Sequence, residues 1–391
     1  MKKIISLLLA ALMLLAAASC AMAAGNATIA VQGQNGFDDY ISSMFVWDGR
    51  LLLASWNKMY TWSPESPELV EVEGYEQLQE QLYGDGSAEE IDGETENGSA
   101  VTIGDTQIEL EEGESISLDS TILTMGDKLY RIANVYGEQG VSRVLLAEMV
   151  IAEDGAISFG EVIDLGDLLL EDYGGDYYGT KSLMTPCYAG GILYAVSYGD
   201  NGRELVALDL ENETCDPLPL DIEADVSGLA PFTEGKLLVV TVDYTQDTPS
   251  TMLMAYDIEG EELTELGELP AEGWNTPAGI AFDEARSKIY YTLGGSVYRA
   301  DVSEDGVGTP EEFGDMPLEA YSDTAAVVLG DLYILSSYEG VVGRDVTLDK
   351  LPEQKLKINN SGYLDGIKSA YYSFTDAHPE YMVSISDSGD T

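Results

Sequence analysis

Histidine is nearly missing from this chain, and cations are scarce. The 391 residues hold one histidine, His378, near the C-terminal end. Residues 1–377 therefore contain no Ser/His/Asp triad, no histidine metal site and no histidine general base. The three cysteines, Cys20, Cys187 and Cys215, form no Cys-x-x-Cys pair and no Cys/His cluster, which removes the usual zinc patterns. Eighteen Lys and Arg face 71 Asp and Glu, a net charge of −53. A field of that sign repels nucleic acid and anionic membrane surfaces, and a phosphate clamp lacks the cations it needs. No cofactor, metal or nucleic-acid partner is expected. One enzyme class survives, because a glycoside hydrolase needs only two carboxylates. No Asp or Glu stands out by context, so no catalytic residue is assigned. Asp301, Ser303 and Asp305 before Gly306 faintly resemble a calcium loop. The expected bidentate Glu would be Glu312, behind Pro310, and an Asp/Gly turn is the simpler reading.

Long apolar runs are equally scarce. The one run, Ile4 to Ala18 behind Lys2 and Lys3, is too short to cross a bilayer and right for a signal-peptide core. Residues 1–23 read as a leader. Two cleavage sites compete. Ala17-Ala18-Ser19-Cys20 resembles a lipobox with Ala17 where Leu is usual, and would lipidate Cys20; Ala21-Met22-Ala23 fits ordinary secretion. If Cys20 carries lipid, Cys187 and Cys215 remain as an even pair in an oxidising compartment. A disulfide and two buried thiols both stay open. Losing Lys2 and Lys3 with the leader moves the net charge to about −55. Forty-five per cent hydrophobic residues still allow a large core and more than one domain.

What is present is a repeat. A turn leads into an apolar strand at Gly49-Arg-Leu-Leu-Leu, Gly126-Asp-Lys-Leu-Tyr, Gly191-Ile-Leu-Tyr, Gly235-Lys-Leu-Leu, Ser287-Lys-Ile-Tyr and Gly330-Asp-Leu-Tyr. Aligned on Leu52, Tyr130, Tyr194, Leu238, Tyr290 and Tyr333, the copies are 78, 64, 44, 52 and 43 residues apart. Propeller blades repeat at roughly 40 to 50 residues. The third copy sits in four strand-like runs, Leu183–Tyr188, Ile192–Ser197, Glu204–Leu210 and Cys215–Leu220. The fourth does the same at Leu229–Phe232, Leu237–Val242, Met252–Ile258 and Leu263–Leu269. One four-strand meander cannot bury both faces, so blades must stack around an axis. The expected fold is an all-β, six-bladed β-propeller over residues 26–352. Thr28–Val31 would close the ring beside the last blade, which lacks a clear fourth strand. A seventh blade stays open through Val101–Ile103 and Gln107–Leu110.

Two insertions account for the long spacings. Residues 76–116 differ from the rest: within them Gly84-Asp-Gly-Ser-Ala-Glu-Glu-Ile-Asp-Gly-Glu-Thr-Glu-Asn-Gly is acidic, rich in Gly and poor in apolar residues, and reads as a surface loop. Gly166–Thr180 carries Asp172-Tyr-Gly-Gly-Asp-Tyr-Tyr-Gly just before the third blade. Tyr173, Tyr177 and Tyr178 beside Asp suit sugar binding, by stacking and by hydrogen bonds to hydroxyls. With 24 tyrosines in the chain, blade core is the plainer role for most of them. Trp47, Trp56 and Trp62 cluster in the first blade and are expected in its core.

The last 38 residues change character. Ile367, Ala370, Tyr371, Phe374 and Ala377 recur at helical spacing, and Pro379 ends that helix. Strand-like runs flank it, Leu356–Ile358 and Met382–Ile385. Strand, helix and strand over about thirty residues make a βαβ unit, which demands a parallel sheet covered on both faces. Gly362-Tyr363, Ile367-Lys368-Ser369-Ala370, Phe374 and His378-Pro379-Glu380-Tyr381 followed by Val383 resemble the opening βαβ of extracellular solute-binding proteins of ABC sugar importers. The resemblance covers about a tenth of the chain. It implies that residues 353–391 begin an α/β domain of the periplasmic-binding-protein type, continued beyond Thr391. It further implies a lipid-tethered protein at a bacterial cell surface, a permease of the ABC type as partner, and a glycan or protein ligand on the propeller. That family's ligand residues lie downstream, so none is carried over. A propeller glycosidase and a purely structural propeller, with the tail as a docking helix, are the alternatives.

Overall fold

The computed structural model describes residues 26–31, 37, 39–78, 100–137, 140–152, 155–172, 178–199, 202–245, 248–315, 324–337, 340–347, 354–360, 374, 378 and 381–387. The expected leader and Cys20 lie outside them. Each copy of the repeat folds as the second strand of a four-stranded antiparallel meander. Blade 1 runs Ser43–Trp47, Arg50–Ala54, Met59–Ser63 and Ser66–Glu71. Blade 2 runs Ser115–Met125, Lys128–Gly137, Gly140–Ile151 and Ile157–Asp164. Blade 3 runs Ser182–Ala189, Ile192–Gly199, Gly202–Asp209 and Thr214–Leu218. Blade 4 runs Asp225–Thr233, Lys236–Asp243, Ser250–Asp257 and Glu262–Leu269. Blade 5 runs Ala278–Asp283, Lys288–Leu293, Ser296–Ser303 and Glu311–Asp315. Blade 6 takes Ala326–Leu329, Leu332–Ser337 and Gly340–Asp345 from one end of the chain and Asn26–Val31 from the other. That N-terminal strand pairs antiparallel with Gly340–Asp345, as the sequence suggested.

Ring closure follows from where the apolar side chains go. Six buried clusters exist, and each draws its residues from two successive blades, including blades 6 and 1. The second strands show why. Leu52 faces blade 2 while Leu51 and Leu53 face blade 6; Tyr290 faces blade 6 while Ile289 and Tyr291 face blade 4. Strands buried on both faces need apolar residues at every position, and each buried Leu, Ile or Val contributes about 1.5–3 kcal/mol. The first strands of neighbouring blades pack around the axis.

Among the described residues there is no seventh blade. Ala100–Ile103 and Thr106–Glu109 form a two-stranded hairpin. Its Ile103 and Ile108, with Leu110, Tyr75 and Leu78, are buried in the core between blades 1 and 2. The described part of the insertion thus fills an inter-blade wedge, while the stretch 84–98, expected as a surface loop, lies outside the described residues. Arg131, buried on blade 2, ties it down by donating to Tyr75 Oη at 2.8 Å and to the Asp119 carbonyl at 2.7 Å. Cys187 and Cys215 are both free. They stand on the first and fourth strands of blade 3, three strand spacings or about 14 Å apart, and a disulfide needs Cα atoms within about 7 Å.

Four core tyrosines give the fold an alkaline limit. Burial pushes up the phenols of Tyr256, Tyr290, Tyr291 and Tyr333, that of Tyr290 to about 12, and the Cys187 thiol to about 12. Above pH 10 the unfolded chain releases phenolic protons that the folded chain keeps. The unfolded state then binds fewer protons, so stability falls as pH rises, by about 1.4 kcal/mol per pH unit for each such group. Urea unfolding at pH 8, 10 and 11 should show a nearly constant midpoint up to pH 9 and a steep fall above 10. A midpoint unchanged at pH 11 would contradict burial of these hydroxyls.

The tail contains the expected strand pair. Gln354–Asn360 and Tyr381–Asp387 are parallel, in register from Gln354 opposite Tyr381 to Asn360 opposite Asp387. Phe374 is helical; the rest of the expected helix lies outside the described residues, His378 excepted. Phe374 and Tyr381 pack on the core between blades 5 and 6, with the His378 ring 4.6 Å from that of Phe374.

Candidate recognition face

An up-and-down meander sorts its connections onto two ends of the ring. One end carries the links between first and second and between third and fourth strands. These are tight turns, and they tie the blades together. Trp47 Nε1 donates to the Asp127 carbonyl at 3.2 Å, from blade 1 to blade 2. Lys236 and Thr233 of blade 4 bond Glu304 of blade 5 at 2.6 and 3.1 Å. Arg286 of blade 5 bonds the Gly330 carbonyl of blade 6 at 3.0 Å and the Asp331 carboxylate. Asp301, of the calcium-like stretch, pairs with Lys288, and residues 303–306 make a plain hairpin turn here. This turn face is a structural end.

The opposite end carries the links between second and third strands and between successive blades. Both insertions start there. Every exposed Phe, Tyr or Trp whose side chain is described is also there: Tyr40, Trp56, Tyr136, Tyr244 and Trp274. Met184 and Leu170 are exposed beside them. Their turns are built to hold them out. Ser55 N–H donates to the Lys58 carbonyl at 2.8 Å, and Lys58 N–H donates back to Ser55 Oγ at 3.0 Å. The side chain between them, Trp56, is 64% exposed. Glu272 and Asn275 exchange backbone bonds of 3.0 and 3.1 Å around Gly273, at φ +62°, and Trp274. Trp274 is 72% exposed. Its turn closes on blade 5 at Gly294, where a Cβ would meet Glu272 Oε2 at 2.8 Å. Asp243 accepts from Thr245 N–H at 2.8 Å and holds the turn of Tyr244.

The channel wall below this face is irregular. The first strands of blades 2, 3, 4 and 5 each slip register, at Leu118/Ile122, Met184/Cys187, Val226/Gly228 and Ala278/Ala281. Bulges re-aim side chains and release backbone polar groups from the ladder. At the blade 3 bulge Thr185 adopts φ +45°, costly for a β-branched residue.

Charge at the face is negative, and its cations are taken. Lys58 pairs with Asp39 and Glu71, Arg143 with Glu114 and Asp164, Lys181 with Glu204, and Arg203 with Asp225. The hydrogen bond from Ser142 and the charge of Arg143 outweigh burial and hold the Glu114 carboxyl below the usual range. On the opposite, turn face, hydrogen bonds from Asn212 lower the Asp209 carboxyl, and those from Lys236 and Thr233 lower the Glu304 carboxyl. Each moves away from the raised value a general acid needs. No group of three or more His, Cys, Asp or Glu suited to a metal occurs among the described residues.

Of the residues singled out from sequence, Tyr178 lies on the short strand Tyr178–Thr180, paired with Leu170–Asp172 at this face. Thr180 Oγ1 anchors that hairpin to the Ser142 carbonyl at 2.5 Å. Tyr173 and Tyr177 lie outside the described residues. Trp62 is buried and Trp47 half-buried, as expected, but Trp56 is not in the core. Trp274 went unnoticed in the sequence; its flanking Pro270, Gly273 and Pro277 were the available signal of an exposed turn.

No family model and no curated protein matches the chain. Among solved structures, the extracellular domain described as that of a hybrid two-component system of B. thetaiotaomicron shares 11% identity, with a TM-score of 0.41. The match covers 82% of this chain and 40% of that one, so the chain spans two fifths of that domain's length. A nidogen/laminin complex shares 12% identity over 77% of this chain and 90% of that one, TM-score 0.41. U3-55K shares 9% identity over 82% and 98%, TM-score 0.41. A likeness of this order fixes neither ligand nor role.

Proposed function

We propose that this propeller is an extracellular recognition module that captures carbohydrate on its loop face and hands it to a solute-binding unit begun by the tail. The observation that carries the first part is the segregation of exposed aromatics. Trp56 and Trp274 sit 64% and 72% exposed on bonded turns, and Trp or Tyr faces suit sugar rings, which need both apolar contact and hydrogen bonds. The parallel strand pair supports the second part, because parallel strands belong to covered α/β sheets. The leader-like segment supports export, with Cys20 as lipid anchor at the cell surface. An ABC permease is the partner this reading requires.

The carbohydrate part is tested by passing the protein over immobilised neutral polysaccharides. The wild type is expected to be retained on at least one of them, and W56S/W274S to elute in the void. Equal retention of both proteins would contradict the assignment of the face. The importer part is tested at the locus: permease genes alongside support it, and their absence from the genome neighbourhood counts against it.

A further inference from the structure

We infer that the ligand is an uncharged oligosaccharide chain lying across the channel mouth, with Trp56 and Trp274 gripping separate sugar units. The inference rests on the carbohydrate reading and narrows it. Trp56 stands on blade 1; Trp274 stands on the link from blade 4 to blade 5. In a ring of six these positions are on opposite sides of the axis. One sugar ring covers one aromatic face, so a monosaccharide reaches one platform only. Between the two lie the bulged first strands of blades 2 to 5 and the exposed Met184, a wall with both apolar surface and backbone groups for hydroxyls.

Charge sets the second property. A polyanion would meet a chain of net charge −53. The described cations of the face already hold carboxylates, so none is spare for a uronate or sulfate. Stacking on uncharged rings needs no cation and is insensitive to salt, whereas attraction of a polyamine to this acidic surface is screened at high ionic strength.

The test is titration calorimetry in low and high salt. The probes are a neutral polysaccharide that the immobilised panel retains, its oligomers of one to eight units, polygalacturonate and chitosan. Wild type, W56A, W274A and the double variant are compared, with W56F and W274F as rescue controls and unfolding midpoints as a check on folding. Affinity should rise at least about tenfold between the dimer and the chain that reaches both tryptophans. Each single alanine variant should lower long-chain affinity about tenfold and flatten the length dependence, each Phe variant should restore most of it, and salt should change little. Equal affinity for monomer and long chain would overturn the bridging geometry while leaving carbohydrate capture intact. Tighter binding of polygalacturonate, or of chitosan with loss in salt, would overturn the uncharged class. If the panel retains the protein on no neutral polymer, the carbohydrate reading itself fails, and the inference with it.

Discussion

A chain that starts after Val31 is expected to lose cooperative folding. Asn26–Val31 is the fourth strand of blade 6, and its Ile29 and Ala30 are buried with Ile334, Val341 and Trp62. Removal takes away a strand ladder and uncovers the edge of Gly340–Asp345 along with the core between blades 6 and 1. Burial of Ile29 accounts for about 2–3 kcal/mol, and each lost ladder bond for about 1 kcal/mol. The total, on the order of 5 kcal/mol or more, is comparable with the whole stability of many proteins. Thermal unfolding should shift down by at least about 10 °C and broaden. A synthetic peptide covering residues 24–33 should restore much of the loss by pairing in trans. An unchanged midpoint in the shortened protein would show that the ring does not depend on this strand.

Gly279→Val is expected to be nearly as damaging, from one residue. Gly279 sits at the bulge of blade 5 with φ +58°. A Cβ there would lie 2.2 Å from Leu335 Cδ1 and 3.0 Å from Tyr333 Oη. Both neighbours are fully buried, and Tyr333 Oη donates to the Gly279 carbonyl at 2.6 Å. Tyr333 is also held in the Tyr290–Tyr333 stack, whose centroids are 5.8 Å apart, so it cannot shift without disturbing that stack. Left-handed strain of about 1–2 kcal/mol and overpacking of about 1–3 kcal/mol combine to roughly 3–4 kcal/mol. Gly49→Val is the control. Gly49 also has positive φ, +69°, but nothing lies within 4 Å of its Cβ position. Only the strain of about 1–2 kcal/mol should appear there. Equal losses at the two glycines, measured by urea unfolding, would show that the cradle around Gly279 is looser than described.

The ring was legible in the sequence because the second strands are sandwiched between blades. Leu52, Tyr130, Tyr194, Leu238, Tyr290 and Tyr333 are all buried, and each sits behind a turn signal. Closure by the N-terminal strand was legible because the last blade was one strand short. The first insertion carries buried residues that its composition hides, and its stretch 84–98 lies outside the described residues. Its acidic, Gly-rich stretch dominates the composition, while the few apolar residues that matter, Ile103, Ile108 and Leu110, look like a small part of it. Of the three tyrosines the sequence offers for the candidate face, Tyr178 lies on a strand at that end of the ring, and Tyr173 and Tyr177 lie outside the described residues. Tyr-rich residues 172–178 drew attention by composition. Trp56 reads as core, because tryptophan is usually buried, whereas the Ser55–Lys58 bonds shape the turn that carries it outside. The bulges of the first strands depend on packing around the axis, which no local pattern reports.

The central claim is that one end of the ring recognises and the other end holds it together. Tryptophan quenching by acrylamide tests it most directly, in the presence of a saturating concentration of a bound neutral polysaccharide. Trp62 is buried and nearly silent to the quencher, and half-buried Trp47 on the turn face gives a background that the polysaccharide should leave unchanged, so the ligand-sensitive signal comes from Trp56 and Trp274. Wild type, W56F and W274F should each be protected by the polysaccharide, which shows that both remaining tryptophans are covered. Quenching that stays unchanged in any of the three under saturating polymer would place the bound chain elsewhere and contradict the account.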